Sequence, residues 1–168
     1  MNQLSVLAPQ GRFILGQSRR WLADLNDSHL ALEPLAGLKT AGWLVGHLAV
    51  TGDFGRRICG LSTICPKEWR THFNPGTFPS PDPATYPPMA ELRDAMLNVY
   101  RGLFAEAPSA PDEVLSRPNP YVPAQPFIPT AGEFAAYLMT GHLAHHLGQL
   151  SSWHAAAGLR RTGERGED

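Results

Sequence analysis

Apolar residues recur at helical spacing in two segments of the first half of the chain. In residues 9–25 the repeat stops at an Asn-Asp-Ser run that favours a turn. In residues 40–58, Thr40 stands where a helix N-cap is expected, and His47 lies on the apolar face. A repeat of three and four residues is typical of amphipathic helices with one buried face. The pattern therefore predicts a first helix over residues 9–25 and a second over residues 40–58.

Two further segments in the second half show the same repeat. The third predicted helix covers residues 89–105, and its apolar stripe consists of Leu92, Met96, Val99, Leu103 and Phe104. The fourth begins after Thr130, which stands three residues before Glu133 as in a capping box. It continues to Ala157, where Gly158 supplies a C-terminal stop. We expect this last helix to be the longest of the four.

Prolines separate these helices. Residues 60–88 contain seven of them, and residues 107–129 form a second proline-rich stretch. Proline removes a backbone donor and fixes φ, so both stretches are predicted to be long connections packed over the helices. Two long connections exclude a bundle with only tight turns, and no repeat or strand pair is visible. The sequence thus predicts an all-α fold, a four-helix bundle with long crossover connections.

Length and charge narrow the class of protein. A chain of 168 residues suits one domain, which we assign to residues 1–158, with residues 159–168 as a disordered polar tail. Its 14 basic and 15 acidic residues form no basic stripe, so nucleic acid and anionic membranes are not expected partners. Apolar runs are short and no leader is visible, which favours a cytoplasmic protein. Cys59 and Cys65 are expected to be free thiols.

Clustered histidines carry the main chemical signal. Three of the seven histidines lie in residues 142–146, and a fourth is His154. Residues four apart share one helical face, so His142 and His146 can direct two imidazoles at one ion. His47 is the best third ligand, because an unpaired imidazole on an apolar face would pay for desolvation. These three histidines are our predicted metal ligands.

Other interpretations of the histidines remain open at this level. A bare His-x-x-x-His pair occurs by chance in many helices, as ordinary core or solvated side chains. His145 shares a face with His142 at a spacing of three, so this pair is a competing geometry. We expect His154 to be exposed near a helix end. His29 and His72 are expected to be solvated in turns or loops.

Three imidazoles would leave open coordination positions, as in catalytic metal sites. The expected ion is Zn²⁺ or Ni²⁺, with Fe²⁺ or Mn²⁺ as alternatives. No carboxylate is an obvious base: Asp53 is expected to pair with Arg56 or Arg57 at the surface, and Glu133 to cap its helix. The Gln149 amide could orient a ligand imidazole or a substrate, so we include it as a candidate catalytic residue.

The lack of an obvious base bears on the reaction. Hydrolysis would normally need a carboxylate near the metal. Aromatic residues of the long loop could cover a substrate pocket, but packing onto the helices is the simpler role; they are Trp69, Phe73, Phe78 and Tyr86. A vestigial site in a dimeric binding or stress-response module is the alternative from another class.

Three segments resemble a known family. They are Gly-Trp-Leu-Val-Gly-His-Leu-Ala at residues 42–49, His-Leu-Ala-His-His-Leu-Gly-Gln-Leu at residues 142–150, and a Trp and Phe-Gly loop at residues 66–76. Together they are similar to the DinB superfamily, which includes the YfiT-like metal-dependent hydrolases. The likeness runs from the first helix to Leu150.

This resemblance implies specific properties. One histidine of the family's second helix and a His-x-x-x-His pair of its last helix bind metal, and they correspond to His47, His142 and His146. The resemblance also implies an up-up-down-down order of helices, frequent homodimers and small-molecule substrates. Some relatives transfer or open low-molecular-weight thiols such as mycothiol or bacillithiol. The resemblance therefore implies a metal-dependent hydrolase or a thiol S-transferase. A coordinated thiol needs no protein base, so the lack of an obvious carboxylate favours the thiol reaction.

Overall fold

The computed structural model describes residues 2–159, and this part of the chain is all-α, as predicted. Its α-helices are α1 (Gln3–Gln17), α2 (Arg19–Ala23), α3 (Ala41–Ile58), α4 (Arg70–Phe73), α5 (Met89–Glu106), α6 (Asp112–Leu115), α7 (Ala131–Tyr137) and α8 (Leu143–Ala156). A π-helical turn, Leu138–His142, joins α7 to α8. The described residues contain no strand, and most of the predicted tail, residues 160–168, lies outside them.

The first helix begins earlier than predicted. Its N-cap is Asn2, whose side chain accepts hydrogen bonds from the backbone amides of Leu4 and Ser5. Pro9 therefore lies inside α1 rather than at its start, because Leu4 and Ala8, which precede it, are already buried in the core. Proline in a helix interior removes one backbone hydrogen bond, which is why the pattern suggested a later start. The predicted helix is also broken at Ser18, where α2 follows.

The other helix boundaries agree with the sequence. Thr40 caps α3 by accepting a hydrogen bond from the amide of Trp43 at 3.3 Å. Thr130 and Glu133 form the predicted capping box at the start of α7. The start of α5 uses a distant group instead, since the Asp27 carboxylate accepts from the amide of Met89 at 2.8 Å. A carboxylate at a helix N-terminus is favourable for the helix dipole.

The π turn interrupts what was predicted as one uninterrupted helix. It ends at His142, directly before α8. A π turn adds one residue to the helix and rotates everything after it relative to everything before it. The side chain of Thr140 donates to the carbonyl of Ala136 at 2.7 Å and satisfies a backbone group of this widened turn. As a result, α7 and α8 present different faces to α3.

Contacts at both ends of α1 give its direction relative to α5. The Asn2 side chain donates to the carbonyl of Pro108 at 3.1 Å, just beyond the end of α5. Near the other end, Arg93 donates to the carbonyl of Leu22 at 3.4 Å. These two contacts make the first segment antiparallel to α5.

The remaining directions follow from contacts of α3. Added Cβ atoms on Gly52 and Gly55 would meet Val99 and Leu103 respectively, so α3 runs parallel to α5. The rings of His47 and His142 face each other, as do those of Phe54 and Phe134, so α3 is antiparallel to the α7–α8 segment. In chain order the four long segments run up, down, down and up. This order differs from the predicted up-up-down-down order in the second and fourth segments.

The long connections explain this order. Parallel neighbours need a connection that returns along the full helix, and residues 59–88 provide it between α3 and α5. The second long connection, residues 107–130, joins antiparallel segments and is not a crossover. Phe73, in the first connection, is fully buried and anchors that connection to α3 beside Gly46. None of the described helices combines the length and the apolar character that crossing a membrane would require.

Candidate metal centre

Three imidazole side chains from two helical segments meet at one point. His47 comes from the middle of α3, His142 ends the π turn, and His146 lies one turn later on α8. One ring nitrogen of each lies within 4.8 Å of the others. The Nε2 atoms of His47 and His142 are 3.3 Å apart. The fold therefore brings together the three residues that the spacing singled out.

Hydrogen bonds on the outer side of the cluster set the ring protonation. Nδ1 of His47 is 2.7 Å from the carbonyl oxygen of Phe73, and Nδ1 of His146 is 2.8 Å from the side-chain oxygen of Gln149. Since these oxygens only accept, each Nδ1 carries a hydrogen and donates it. Each Nε2 then keeps a lone pair for a ligand. Gln149 thus occupies the orienting position expected for it.

Packing around α3 fixes the ring of His47. Trp43 stacks on it with centroids 4.5 Å apart and planes 11° apart, and the Trp43 indole donates to the Thr77 hydroxyl at 2.9 Å. An added Cβ on Gly46 would lie 2.5 Å from ring atoms of Phe73. Only glycine therefore allows Phe73 to lie close enough for its carbonyl to hold His47.

The cluster favours neutral imidazoles. Burial, together with the neighbouring imidazoles, lowers the pKa of His142 to about 3. Burial, together with nearby His47, lowers the pKa of His146 to about 4. Burial lowers the pKa of His47, and the hydrogen bond to Phe73 partly offsets this effect. Neutral imidazole is the form that binds a metal, so no proton has to be displaced from the rings near neutral pH.

These groups fit a divalent first-row ion. Nδ1 of His142 is buried and has no hydrogen-bond partner among residues 2–159, so the polar contact of this ring is the one between its Nε2 and His47. Within the same residues the cluster consists of imidazoles alone, without a carboxylate. Imidazole suits Zn²⁺, Ni²⁺ and Fe²⁺, whereas Mg²⁺ and Ca²⁺ take oxygen ligands. The three imidazoles therefore support a site for a divalent ion that prefers nitrogen ligands rather than oxygen ligands.

A cavity of about 850 Å³ opens beside the cluster. Its apolar walls come from α3, from the α7–α8 segment and from the connection that precedes α7; they are Val50, Phe54, Tyr121, Pro123, Ala124, Phe127, Ile128, Phe134, Tyr137 and Leu138. His47, His142 and His146 line the same cavity. The volume lies in the range of small-molecule sites. A substrate in this cavity would reach the imidazoles directly.

The other histidines differ from expectation in two cases. His145 is exposed and does not belong to the cluster, so the geometry favours the His142/His146 pair over the His142/His145 pair. His154 was predicted to be exposed but is buried, with Nε2 3.0 Å from a carboxylate oxygen of Asp24. His29 was predicted to be solvated but is buried against Trp153. His72 is exposed on α4, in agreement with the prediction.

The prediction for Asp53 was wrong. Its carboxylate is buried and accepts hydrogen bonds from the backbone amides of Ile64 and Cys65, instead of pairing with an arginine at the surface. Arg56 pairs with Glu106 at 2.8 Å. Burial raises the pKa of Asp53, while the two amide bonds lower it. Asp53 therefore anchors the connection that follows α3 and does not line the cavity.

The loop aromatics divide between packing and exposure. Trp69 and Phe73 are buried, which agrees with a packing role, whereas Phe78 is exposed beneath the Lys39 ammonium.

Sequence reasoning missed the carbonyl of Phe73 as a partner of His47, because a backbone group leaves no signal in the sequence. It also missed Trp43, although a tryptophan four residues before His47 on the same helical face was a usable signal.

Comparison with protein families places most of the chain in one of them. Residues 15–150, which include the whole cluster and the cavity, match the DinB superfamily. A search of curated proteins and a search of solved structures each found no match.

Proposed function

This chain belongs to the DinB superfamily, and we propose that it is a metal-dependent enzyme in which His47, His142 and His146 hold one divalent ion. The observation that carries this proposal is the set of three ring nitrogens within 4.8 Å, two of them on rings whose Nδ1 hydrogens are already engaged. Zn²⁺ and Ni²⁺ fit three imidazoles best, and Fe²⁺ and Mn²⁺ are alternatives. When bound, the ion would supply Lewis acidity to a substrate oxygen or sulfur.

Thiol transfer is the reaction that we favour over hydrolysis. The cavity lining contains no Asp or Glu among the described residues, so the side chains there offer no carboxylate base to activate water. A low-molecular-weight thiol would need no such base if its sulfur coordinated an ion held by the three histidines, because coordination promotes loss of the thiol proton. In the transfer, sulfur forms a bond to an electrophilic carbon of the second substrate. The leaving group departs with its electron pair, and the thiol proton passes to solvent.

The chain's own residues would position these reactants. Gln149 and the Phe73 carbonyl orient two of the imidazoles, and the aromatic walls exclude water from one side of the cavity. A non-catalytic metal-binding module is the alternative. The cavity beside the cluster supports catalysis over that alternative, because a purely structural site would be closed to small molecules. A cytoplasmic location and homodimer formation remain part of the proposal.

Metal titration tests the proposal. Metal-free protein is titrated with Zn²⁺ and with Ni²⁺ in competition with a chromophoric chelator, and the bound metal is counted per chain. We expect one ion per chain, lost in His47→Ala and retained in His72→Ala, which removes an exposed histidine of α4. Absence of binding by the wild type for both metals would overturn the metalloenzyme and leave a helical binding module. Protein that binds metal is then tested for transfer of small thiols to electrophiles.

A further inference from the structure

The cavity has two chemically different ends. On α3, the side chains that line it are Val50, Thr51 and Phe54, with His47 at one end of this stripe and Arg57 at the other. Their spacing of three and four residues keeps them on one helical face. An α-helix rises about 1.5 Å per residue, so the ten residues from His47 to Arg57 span about 15 Å. A ligand that reaches from the histidines to the arginine end must be elongated.

The middle of the cavity is aromatic. Phe54 meets Phe134 edge to face at 6.0 Å between ring centroids, and Tyr121 stacks on the other side of Phe134 at 5.5 Å. Phe127 lines the cavity while remaining 86% exposed, so much of its ring is free to cover a ligand. Aromatic walls of this kind favour a flat or branched apolar body.

Two arginines give the cavity a positive charge. Arg57 lies over the ring of Phe54 at 4.8 Å and has no salt bridge to a carboxylate within residues 2–159. Arg70 is half-buried, lines the same cavity and lowers the pKa of Asp53 through its charge. The Asp53 carboxylate accepts from two backbone amides and does not line the cavity. Both guanidinium groups are therefore available to a ligand.

The charged side chains in the cavity lining determine whether the cavity prefers an anionic or a cationic ligand. Among the described residues, Arg57 and Arg70 are the only arginine, lysine or carboxylate side chains in the lining, so no negative charge offsets them there. Guanidinium groups bind carboxylates through paired hydrogen bonds. A positively charged site bounded by apolar walls attracts anions and repels cations.

We infer that the cavity takes an elongated apolar carboxylate, with its carboxylate paired with Arg57, the charge of Arg70 adding to the attraction, and its apolar body lying against Phe54 and Phe127. The other end of such a ligand reaches the histidine cluster, where its reactive atom belongs. The inference deepens the proposed function and rests on it for the role of the histidine end. Binding of the carboxylate by the arginines stands independently of any metal.

A matched set of three probes tests this inference. The probes are ω-phenylhexanoate, the neutral ω-phenylhexanol and the cationic ω-phenylhexylamine, which share the apolar body and differ in charge. Binding is measured by isothermal titration calorimetry on metal-free and on Zn²⁺-loaded protein. We expect the carboxylate to bind about tenfold more tightly than the alcohol, and the amine to bind most weakly. Higher salt should weaken only the carboxylate.

Arginine variants locate the charge recognition. Arg57→Gln and Arg70→Gln should each weaken carboxylate binding about tenfold and leave the alcohol unchanged. Arg101→Gln, on the exposed face of α5, is the control and should change neither. Thermal melts accompany each variant, and if Arg70→Gln fails to fold, the exposed Arg57 decides alone. Equal binding of carboxylate and alcohol, or carboxylate binding that ignores both variants, overturns the inference.

The same experiment separates this inference from the proposed function. Arginine-dependent carboxylate binding by a wild type that binds no metal would sustain the inference and overturn the metalloenzyme. Binding of one metal ion per chain, without tighter binding of the carboxylate probe than of the alcohol, would sustain the metalloenzyme and overturn this inference. Carboxylate that binds the metal instead of the arginines would bind only the loaded protein and survive both arginine variants, which also overturns the inference.

Discussion

Histidines at the two ends of α8 have different partners, although His142 at its start and His154 near its end are both buried. At its start, His142 and His146 face another imidazole, and the ring nitrogens turned toward the cluster meet no carboxylate among the described residues. Near its end, His154 lies 3.0 Å from the carboxylate of Asp24. A histidine beside a carboxylate is already satisfied by a hydrogen bond. Burial alone therefore does not mark a ligand; the partner of each ring nitrogen does.

The physical difference lies in the lone pairs. In the cluster, outward hydrogen bonds to Phe73 and Gln149 leave lone pairs on inward nitrogens, and two Nε2 atoms approach to 3.3 Å. Facing lone pairs repel unless a proton or a cation lies between them. At the other end of α8, the Asp24 carboxylate accepts a hydrogen from His154, so no further ion is needed there. The first arrangement leaves the inward lone pairs of His47 and His146 directed at a shared point where a cation can bind, whereas the second leaves no such group of nitrogens.

Removing one histidine from each end tests this difference with the largest expected effect. His146→Ala should weaken Zn²⁺ binding by more than the roughly 10–100-fold loss typical of residues that only orient a ligand. His154→Ala should lower the melting temperature, because a buried side chain is lost, but keep one metal ion per chain. Chelator competition and thermal melts measure both quantities. Equal metal loss in the two variants would mean that α8 as a whole, not the cluster, governs binding.

The orienting role of Gln149 predicts a smaller effect within the cluster. Gln149→Leu removes the acceptor 2.8 Å from Nδ1 of His146 and should weaken metal binding about tenfold or more. Gln149→Glu keeps an acceptor at this position and should restore the affinity. Chelator competition with both variants measures this change. If the leucine variant binds as the wild type does, His146 is oriented by packing and the hydrogen bond is incidental.

The sequence predicted the three clustered histidines better than their surroundings, for physical reasons. Helical spacing reports which residues share a face, so His142 and His146 were identifiable, and His47 was exceptional on its apolar stripe. Tertiary contacts carry no such period, which is why Asp24 beside His154 and the Phe73 carbonyl beside His47 could not be foreseen.

The fold shows the same division between local and distant signals. Capping residues and apolar stripes predicted α3, α5 and the start of α7, because those signals are local. The helix directions and the π turn depend on packing between distant segments. Asp53 shows this most clearly: its charge suggested the surface, but two backbone amides hold it in the interior.

Two glycine substitutions probe how tightly the cluster is packed. Gly46→Ala would place a Cβ 2.5 Å from the buried ring of Phe73, and overpacking of this kind typically costs about 1–3 kcal/mol. Moving Phe73 also moves the carbonyl that holds His47, so metal affinity should fall as well. Gly148→Ala on α8 meets no atom within 4 Å and should stabilise the helix by roughly 0.5–1 kcal/mol. Urea unfolding gives both values, and two variants of equal stability would contradict the tight approach of Phe73.

The pH dependence of the metal-free protein probes the cluster without any ligand. The folded pKa of His142 is lowered to about 3 and that of His146 to about 4, whereas an unfolded histidine titrates near pH 6.5. The unfolded chain therefore binds more protons below about pH 6.5, so the free energy of unfolding should fall as pH decreases. Each such proton contributes about 1.4 kcal/mol per pH unit.

Comparison with His142→Gln isolates the contribution of the cluster to this slope. Both proteins are unfolded with urea in the presence of chelator between about pH 7 and pH 5, where carboxylates stay mostly ionised. Below about pH 6 the variant should show a slope smaller by about 1.4 kcal/mol per pH unit, the share of one imidazole. Burial also lowers the pKa of His29 near the end of α8, but it contributes equally to both proteins and cancels in the difference. Identical slopes would mean that His142 takes up a proton as readily in the folded cluster as in the unfolded chain, which would contradict its lowered pKa.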